Sequence, residues 1–131
     1  MPAHLSMLFV YGTLRRDSDA PMARLLWSRS QWIGAAQANG RLYRLDGYPG
    51  FVPDPRGRPV LGDVFALDEP EATLLQLDDY EECTARFAQP HEYRREIITV
   101  RIDSQDVAAW AYVYAWPVDE TRIIATGDYL A

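Results

Sequence analysis

Two consecutive stretches decide the fold of this chain: Tyr93-Arg94-Arg95-Glu96-Ile97-Ile98-Thr99-Val100-Arg101-Ile102 and Val107-Ala108-Ala109-Trp110-Ala111-Tyr112-Val113-Tyr114-Ala115-Trp116. In the first, Ile98, Val100 and Ile102 fall in phase on one side, the period of a strand. In the second, Trp110, Tyr112, Tyr114 and Trp116 share one face, and Ala109, Ala111, Val113 and Ala115 share the other. A turn at Ser104-Gln105 then makes an antiparallel hairpin.

Further strands are predicted upstream. Leu8-Phe9-Val10-Tyr11 is an apolar run that stops at Gly12-Thr13-Leu14. Trp32 to Ala36, Gly40 to Leu45 and Val60 to Leu67 read as three more strands. Ala23 to Ser30 reads as a short helix. Between Gly47 and Pro59, seven of thirteen residues are Gly or Pro. That stretch is read as the one long irregular segment, because so much Gly and Pro excludes a regular helix or a central strand. It is either a plain surface excursion or a functional loop. A second helix is expected from about Glu69 to about Glu82, with Asp68 as its cap, Glu71 completing a capping box and Pro70 in the first turn. Ile123 to Tyr129 reads as a short closing element. Strands do not alternate regularly with helices, so the fold class is α+β. Its sheet is largely antiparallel and either strongly curved or closed into a small barrel.

The chain has 131 residues, one domain's worth (1–131), with 16 aromatics to build a core. Its net charge of −6 makes it a poor binder of nucleic acid or of an anionic membrane surface. Cys83 is the single cysteine, so no intrachain disulfide forms, and no Cys/His cluster has zinc spacing. No apolar run approaches the length of a spanning helix. A cytoplasmic location is expected.

The second helix carries an anomaly. At 100° per residue, Leu74, Leu77, Asp78 and Glu81 lie on one face, with Glu81 within about 20° of Leu74. A glutamate on an apolar face has three explanations. The helix ends before it; or it pairs with an inward Arg; or it lines a pocket as a general acid/base whose pKa is raised by desolvation. Other constellations are weaker. Cys83 and His91 form a nucleophile–base pair only on paper. There is no Gly-x-Ser-x-Gly elbow, phosphate loop or dinucleotide fingerprint. Asp78 with Glu81 or Glu82 sits too close on one helix to clamp a glycosidic bond.

Several blocks together resemble the gamma-glutamylcyclotransferase-like family, in its AIG2-like branch. They are Phe9-Val10-Tyr11-Gly12-Thr13-Leu14-Arg15, Gly40-Arg41-Leu42-Tyr43, Gly47-Tyr48-Pro49-Gly50, Val60-Leu61-Gly62-Asp63-Val64-Phe65, Leu77-Asp78-Asp79-Tyr80-Glu81, Tyr93-Arg94-Arg95, Ala109 to Tyr114, and Gly127-Asp128. The resemblance runs from about residue 8 to 129 and rests on the order and spacing of the blocks. It implies a small mixed barrel with flanking helices and a pocket at one end. It implies intramolecular cyclisation of a small gamma-glutamyl substrate to 5-oxoproline, releasing an amine or amino acid, with no metal or organic cofactor. The family's catalytic glutamate falls on Glu81. The turn Tyr11-Gly12-Thr13-Leu14 would offer backbone N–H groups to substrate oxygens. Tyr48, Pro49 and Gly50 would shape the pocket rim, and Tyr112 or Tyr114 would form a hydrogen-bonding wall. Of the adjacent Arg94 and Arg95, at most one points inward, and a structural ion pair is its simpler role. Thr13 stands where many members carry Ser, and Glu82 where many carry Gly. The alternative is a non-catalytic barrel that binds a small metabolite in the same pocket.

Overall fold

The computed structural model describes residues 5–12, 14 and 21–129. Within them lie β1 (Met7–Val10), α1 (Pro21–Ser28), β2 (Ser30–Arg44), β3 (Pro49–Pro53), β4 (Arg58–Leu67), α2 (Pro70–Tyr80), β5 (Tyr93–Ile102) and β6 (Gln105–Tyr114). A 3₁₀ turn follows at Glu120–Arg122.

The strands run in the order β3-β2-β4-β1-β6-β5, and a β2–β5 pairing at Gln37 and Arg101 closes β2, β4, β1, β6 and β5 into a barrel. β3 lies outside the ring. The β1–β6 pair is parallel and the other pairs are antiparallel. This is the small mixed, largely antiparallel barrel with flanking helices expected above.

Strand alternation splits the core. Leu8 and Val10 of β1 face the helices with Leu26, Leu74, Leu77 and Tyr112. Phe9 and Tyr11 face the other way with Leu42, Phe51, Val64 and Ala111. The aromatic face of β6 (Tyr112, Tyr114) therefore meets the helices, and its alanine face (Ala109, Ala111) fills the narrow barrel. Small side chains suit a ring of five strands, whose interior is tight.

Four details differ from the sequence reading. The two strands expected at 32–36 and 40–45 are one strand, β2. Ala36, Ala38 and Gly40 are buried while Gln37 and Asn39 are exposed, so the polar residues that suggested a break are its outer face. A register shift between Trp32 and Gly34 marks a bulge. Part of the Gly/Pro segment is also ordered. Pro49–Pro53 pairs with Arg44–Gly40 as the outermost strand, where proline's missing N–H costs no ladder bond. The hairpin turn is Asp103-Ser104, one residue earlier than read, with φ of 48° and 69° and Ile102 opposite Gln105. Two positive φ values give the type I′ turn that suits a two-residue hairpin. Finally, α2 is capped at Glu69 without a side-chain bond. Proline favours the first helical position, which puts the cap one residue beyond Asp68 and leaves the capping box unformed.

Candidate active site

A cavity of about 420 Å³ opens beside the end of β1. Its walls come from Phe9 to Gly12 with Leu14, from Gly47 to Pro49, from Tyr80 to Glu82, and from Glu92, Tyr93 and Tyr112. Five separate parts of the chain thus converge on it.

Glu81 reaches the cavity because of how α2 packs and how it ends. Thr73, Leu74 and Leu77 are the buried face of the helix, and Glu81 continues that face two turns after Leu74. Its N–H still donates to Leu77 O at 2.8 Å, so helical phase holds as far as this residue. Beyond it the chain turns sharply. Glu82 N–H donates to Asp79 O at 3.1 Å and Cys83 N–H to Asp78 O at 3.0 Å, the paired bonds of a Schellman motif. Glu82 occupies the left-handed position of that motif, with φ of 59°. That backbone conformation is the one Gly adopts most readily, which fits the Gly that the family resemblance leads one to expect at this position.

Burial pushes the Glu81 carboxyl up to about 7, and the neighbouring charges of Glu92 and then Glu82 push the same way. A carboxyl titrating there can take and return a proton near neutral pH. Of the three explanations for the misplaced glutamate, the geometry matches the pocket. The inward arginine exists, but it binds the residue one turn earlier. Arg95 Nε and Nη2 donate to Asp78 Oδ1 and Oδ2 at 2.8 and 3.1 Å. Arg94 points outward to Glu96, 3.1 Å away.

The remaining expected residues divide. Tyr11, Gly12, Leu14, Tyr48, Pro49 and Tyr112 line the cavity. Tyr11 donates its hydroxyl hydrogen to Tyr112 O at 2.5 Å, and burial, then Glu81, holds that phenol above its ordinary range. Gly12 lets Pro49 close against the strand end, since a Cβ there would meet Pro49 Cγ at 2.6 Å. Tyr112 donates to Asp78 Oδ1 at 2.7 Å. Gly50 and Tyr114 stand behind the wall instead of in it. A Cβ on Gly50 would meet the Tyr114 ring at 2.8 Å, and that ring packs edge-on against Tyr93, centroids 5.6 Å apart. Thr13 lies outside the described residues.

Sequence reasoning did not single out Glu92 and Tyr93. Tyr93 donates to Pro49 O at 2.6 Å, and Tyr48 donates to Glu92 Oε2 at 2.8 Å. That bond above all, with burial, pushes the Tyr48 phenol up to about 12. Tyr93 carried a usable signal: it opens a strand opposite Tyr114, on the aromatic side of the hairpin. Glu92 carried none, because it sits in an irregular connection that only the tertiary fold brings to the cavity. Among the described residues, no group of three His, Cys, Asp or Glu could hold a metal ion. No helix among them is long and apolar enough to cross a membrane.

A family model described as "Gamma-glutamyl cyclotransferase, AIG2-like" matches residues 8–131. The Escherichia coli (strain K12) gamma-glutamylcyclotransferase family protein YtfP is 35% identical over 130 residues, covering 94% of this chain and 95% of the relative. The corresponding protein of Citrobacter rodentium is 33% identical, with 94% of each covered. The crystal structure of a mouse AIG2-like protein superimposes with a TM-score of 0.67 at 25% identity, over 89% of this chain and 82% of that one. YkqA from Bacillus subtilis superimposes with a TM-score of 0.70 at 27% identity, over 95% of this chain. This chain spans only 39% of that larger protein.

Proposed function

The chain belongs to the gamma-glutamyl cyclotransferase, AIG2-like family, and on that premise we propose that it cyclises a gamma-glutamyl compound, releasing an amine or amino acid and 5-oxoproline. The observation that carries this reading is Glu81, on the wall of the cavity beside the end of β1, with a carboxyl that titrates at about 7.

The reaction is intramolecular. The α-nitrogen of the substrate attacks its own γ-carbonyl carbon, a new C–N bond closes the five-membered ring, and the bond to the leaving nitrogen breaks. Holding the chain bent supplies much of the rate. Glu81, as carboxylate, takes a proton from the α-ammonium so that its lone pair is free to attack. As carboxylic acid, it passes a proton to the leaving nitrogen. In all, two protons leave the attacking nitrogen and two reach the leaving one, which departs as an ammonium, and Glu81 ends as it began. The oxyanion formed at the γ-carbonyl needs fixed donors, a role assigned to backbone N–H groups in the segment from Gly12 to Leu14. The phenols of Tyr11 and Tyr112 are committed to Tyr112 O and Asp78, so they shape the wall and do not move protons.

The test is a panel of gamma-glutamyl amines and gamma-glutamyl amino acids assayed for 5-oxoproline. The wild type should release it from at least one member, and Glu81→Gln should lose at least about 10³-fold in kcat while keeping its fold. Full activity in that variant would remove Glu81 from the mechanism. A ligand that stabilises the protein yet is recovered unchanged, with no turnover across the panel, would favour the binding barrel.

A further inference from the structure

Glu81 stands at the end of a helix, where backbone bonds run out and local opening costs least. After Leu77, α2 buries no further apolar side chain, and Tyr80 is exposed. Something else must hold the last turn against the barrel. Asp78 does so through side chains of two strands. Its Oδ1 accepts from Tyr112 and from Arg95 Nε, and its Oδ2 accepts from Arg95 Nη2. The Arg95 guanidinium is in turn stacked 4.3 Å from the centre of the Trp110 ring. The Arg95 and Asp78 side chains are 25% and 14% exposed, so the pair is largely shielded from water. A planar fork on a carboxylate fixes direction as well as distance.

We propose that Asp78 is a positioning residue, gripped by Arg95 and Tyr112 so that the last turn of α2 aims Glu81 into the cavity. The proposal rests on the reading of Glu81 as acid/base. Asp78 is one helical turn before Glu81, so a change in its seat rotates or frees the glutamate. The grip also couples two walls of the site. Tyr112, whose hydroxyl holds Asp78, accepts the Tyr11 hydroxyl on its own carbonyl. The end of β1 and the end of α2 are therefore set by one residue of β6. A shielded ion pair is weak evidence of stabilisation, because desolvation offsets its attraction. Its value here is geometric.

The groups that face Glu81 are Glu92, Glu82 and Cys83, with the Tyr11 and Tyr93 phenols on the same cavity wall. None of them is altered by Asp78→Asn or Arg95→Lys. The experiment follows the Glu81 carboxyl by carbon-13 NMR across pH in the wild type and both variants. It also measures kcat and KM on the panel member that the wild type turns over fastest. Val100→Ala, in the barrel interior away from the cavity, controls for loss of stability. If Asp78 positions Glu81, each clamp variant lowers the Glu81 midpoint by about half a unit or more as water reaches the carboxyl. Each also lowers kcat about tenfold or more with KM within about threefold, whereas Val100→Ala moves neither. A midpoint unchanged from wild type in both variants overturns the proposal. So do effects no larger than those of Val100→Ala. Arg95→Lys keeps a charge on Asp78 and serves if Asp78→Asn does not fold. If no panel member is turned over, the cyclisation reading fails, and the titration alone still decides whether Asp78 seats Glu81.

Discussion

Tyr48 donates its phenolic hydrogen to Glu92 across 2.8 Å, and the two residues come from segments 44 positions apart in the chain. Both line the cavity that Glu81 enters. The bond fixes Glu92 beside Glu81, and the charge of Glu92 raises the Glu81 pKa.

Replacing Glu92 with Gln should therefore lower the Glu81 pKa. In the proposed reaction Glu81 is a carboxylate when it accepts the first proton, so the wild-type kcat/KM should fall as pH drops through about 7. In Glu92→Gln that acid limb should move to lower pH by roughly half a unit. The pH dependence of kcat/KM checks this, and an unmoved limb would mean that Glu92 does not act on Glu81.

Glu81 should also cost stability at high pH. Its folded pKa of about 7 lies above the ordinary 4.5. Between those values the folded state binds more protons than the unfolded one, so stability falls as pH rises through the window. The cost should reach roughly 3 kcal/mol above pH 7, where the carboxyl is charged in both states. Glu81→Gln lacks this term. Relative to wild type, it should be more stable at pH 8 and gain little at pH 4.5, as measured by urea unfolding at the two pH values.

Glu82 pays a backbone penalty at φ of 59°. Glu82→Gly should raise stability by ~0.5–1 kcal/mol, because the left-handed position suits Gly and the larger entropy of the unfolded Gly offsets only part of the gain. Thermal unfolding is the readout. The same variant removes a charge that raises Glu81, so its acid limb should also shift slightly downward.

Gly12→Ala should act in the opposite sense. The new methyl would fall 2.6 Å from Pro49 Cγ and 3.0 Å from Cδ, too close for either ring atom. Displacing Pro49 should cost about 1–3 kcal/mol and spread the wall between the end of β1 and the rim. Activity should fall by more than the loss of folded protein explains, which a comparison of kcat with folded fraction would show.

These residues were not equally legible in the sequence. The α2 face was, because Leu74, Leu77 and Glu81 obey one period and only the polar member breaks the pattern. β5 was too, from Tyr93 to Ile102. β3 was hidden because Pro49 and Pro53 argue against a strand, and only the lack of a neighbour on one side permits them. The unity of β2 was hidden because small inward residues (Ala36, Ala38, Gly40) carry little hydrophobic signal, although they are what a narrow barrel needs. The place of Glu81 on the cavity wall was legible from helical phase. Glu92 and the choice of Asp78 as the partner of Arg95 depend on which strand ends meet in space, and local pattern holds no record of that.

The four residues of β1 bridge β4 and β6. Without β1, the sheet divides into β3-β2-β4 and β6-β5, whose strand pairing among the described residues is the one at Gln37 and Arg101. This short first strand is a keystone, and the candidate site lies beside its C-terminal end. β6 is the last of the six strands in chain order, so β1 gains its second neighbour only after the other strands have been made. The cavity wall that Tyr112 supplies is therefore missing from every partly assembled molecule, and an assay of the proposed reaction would count only chains whose barrel has closed.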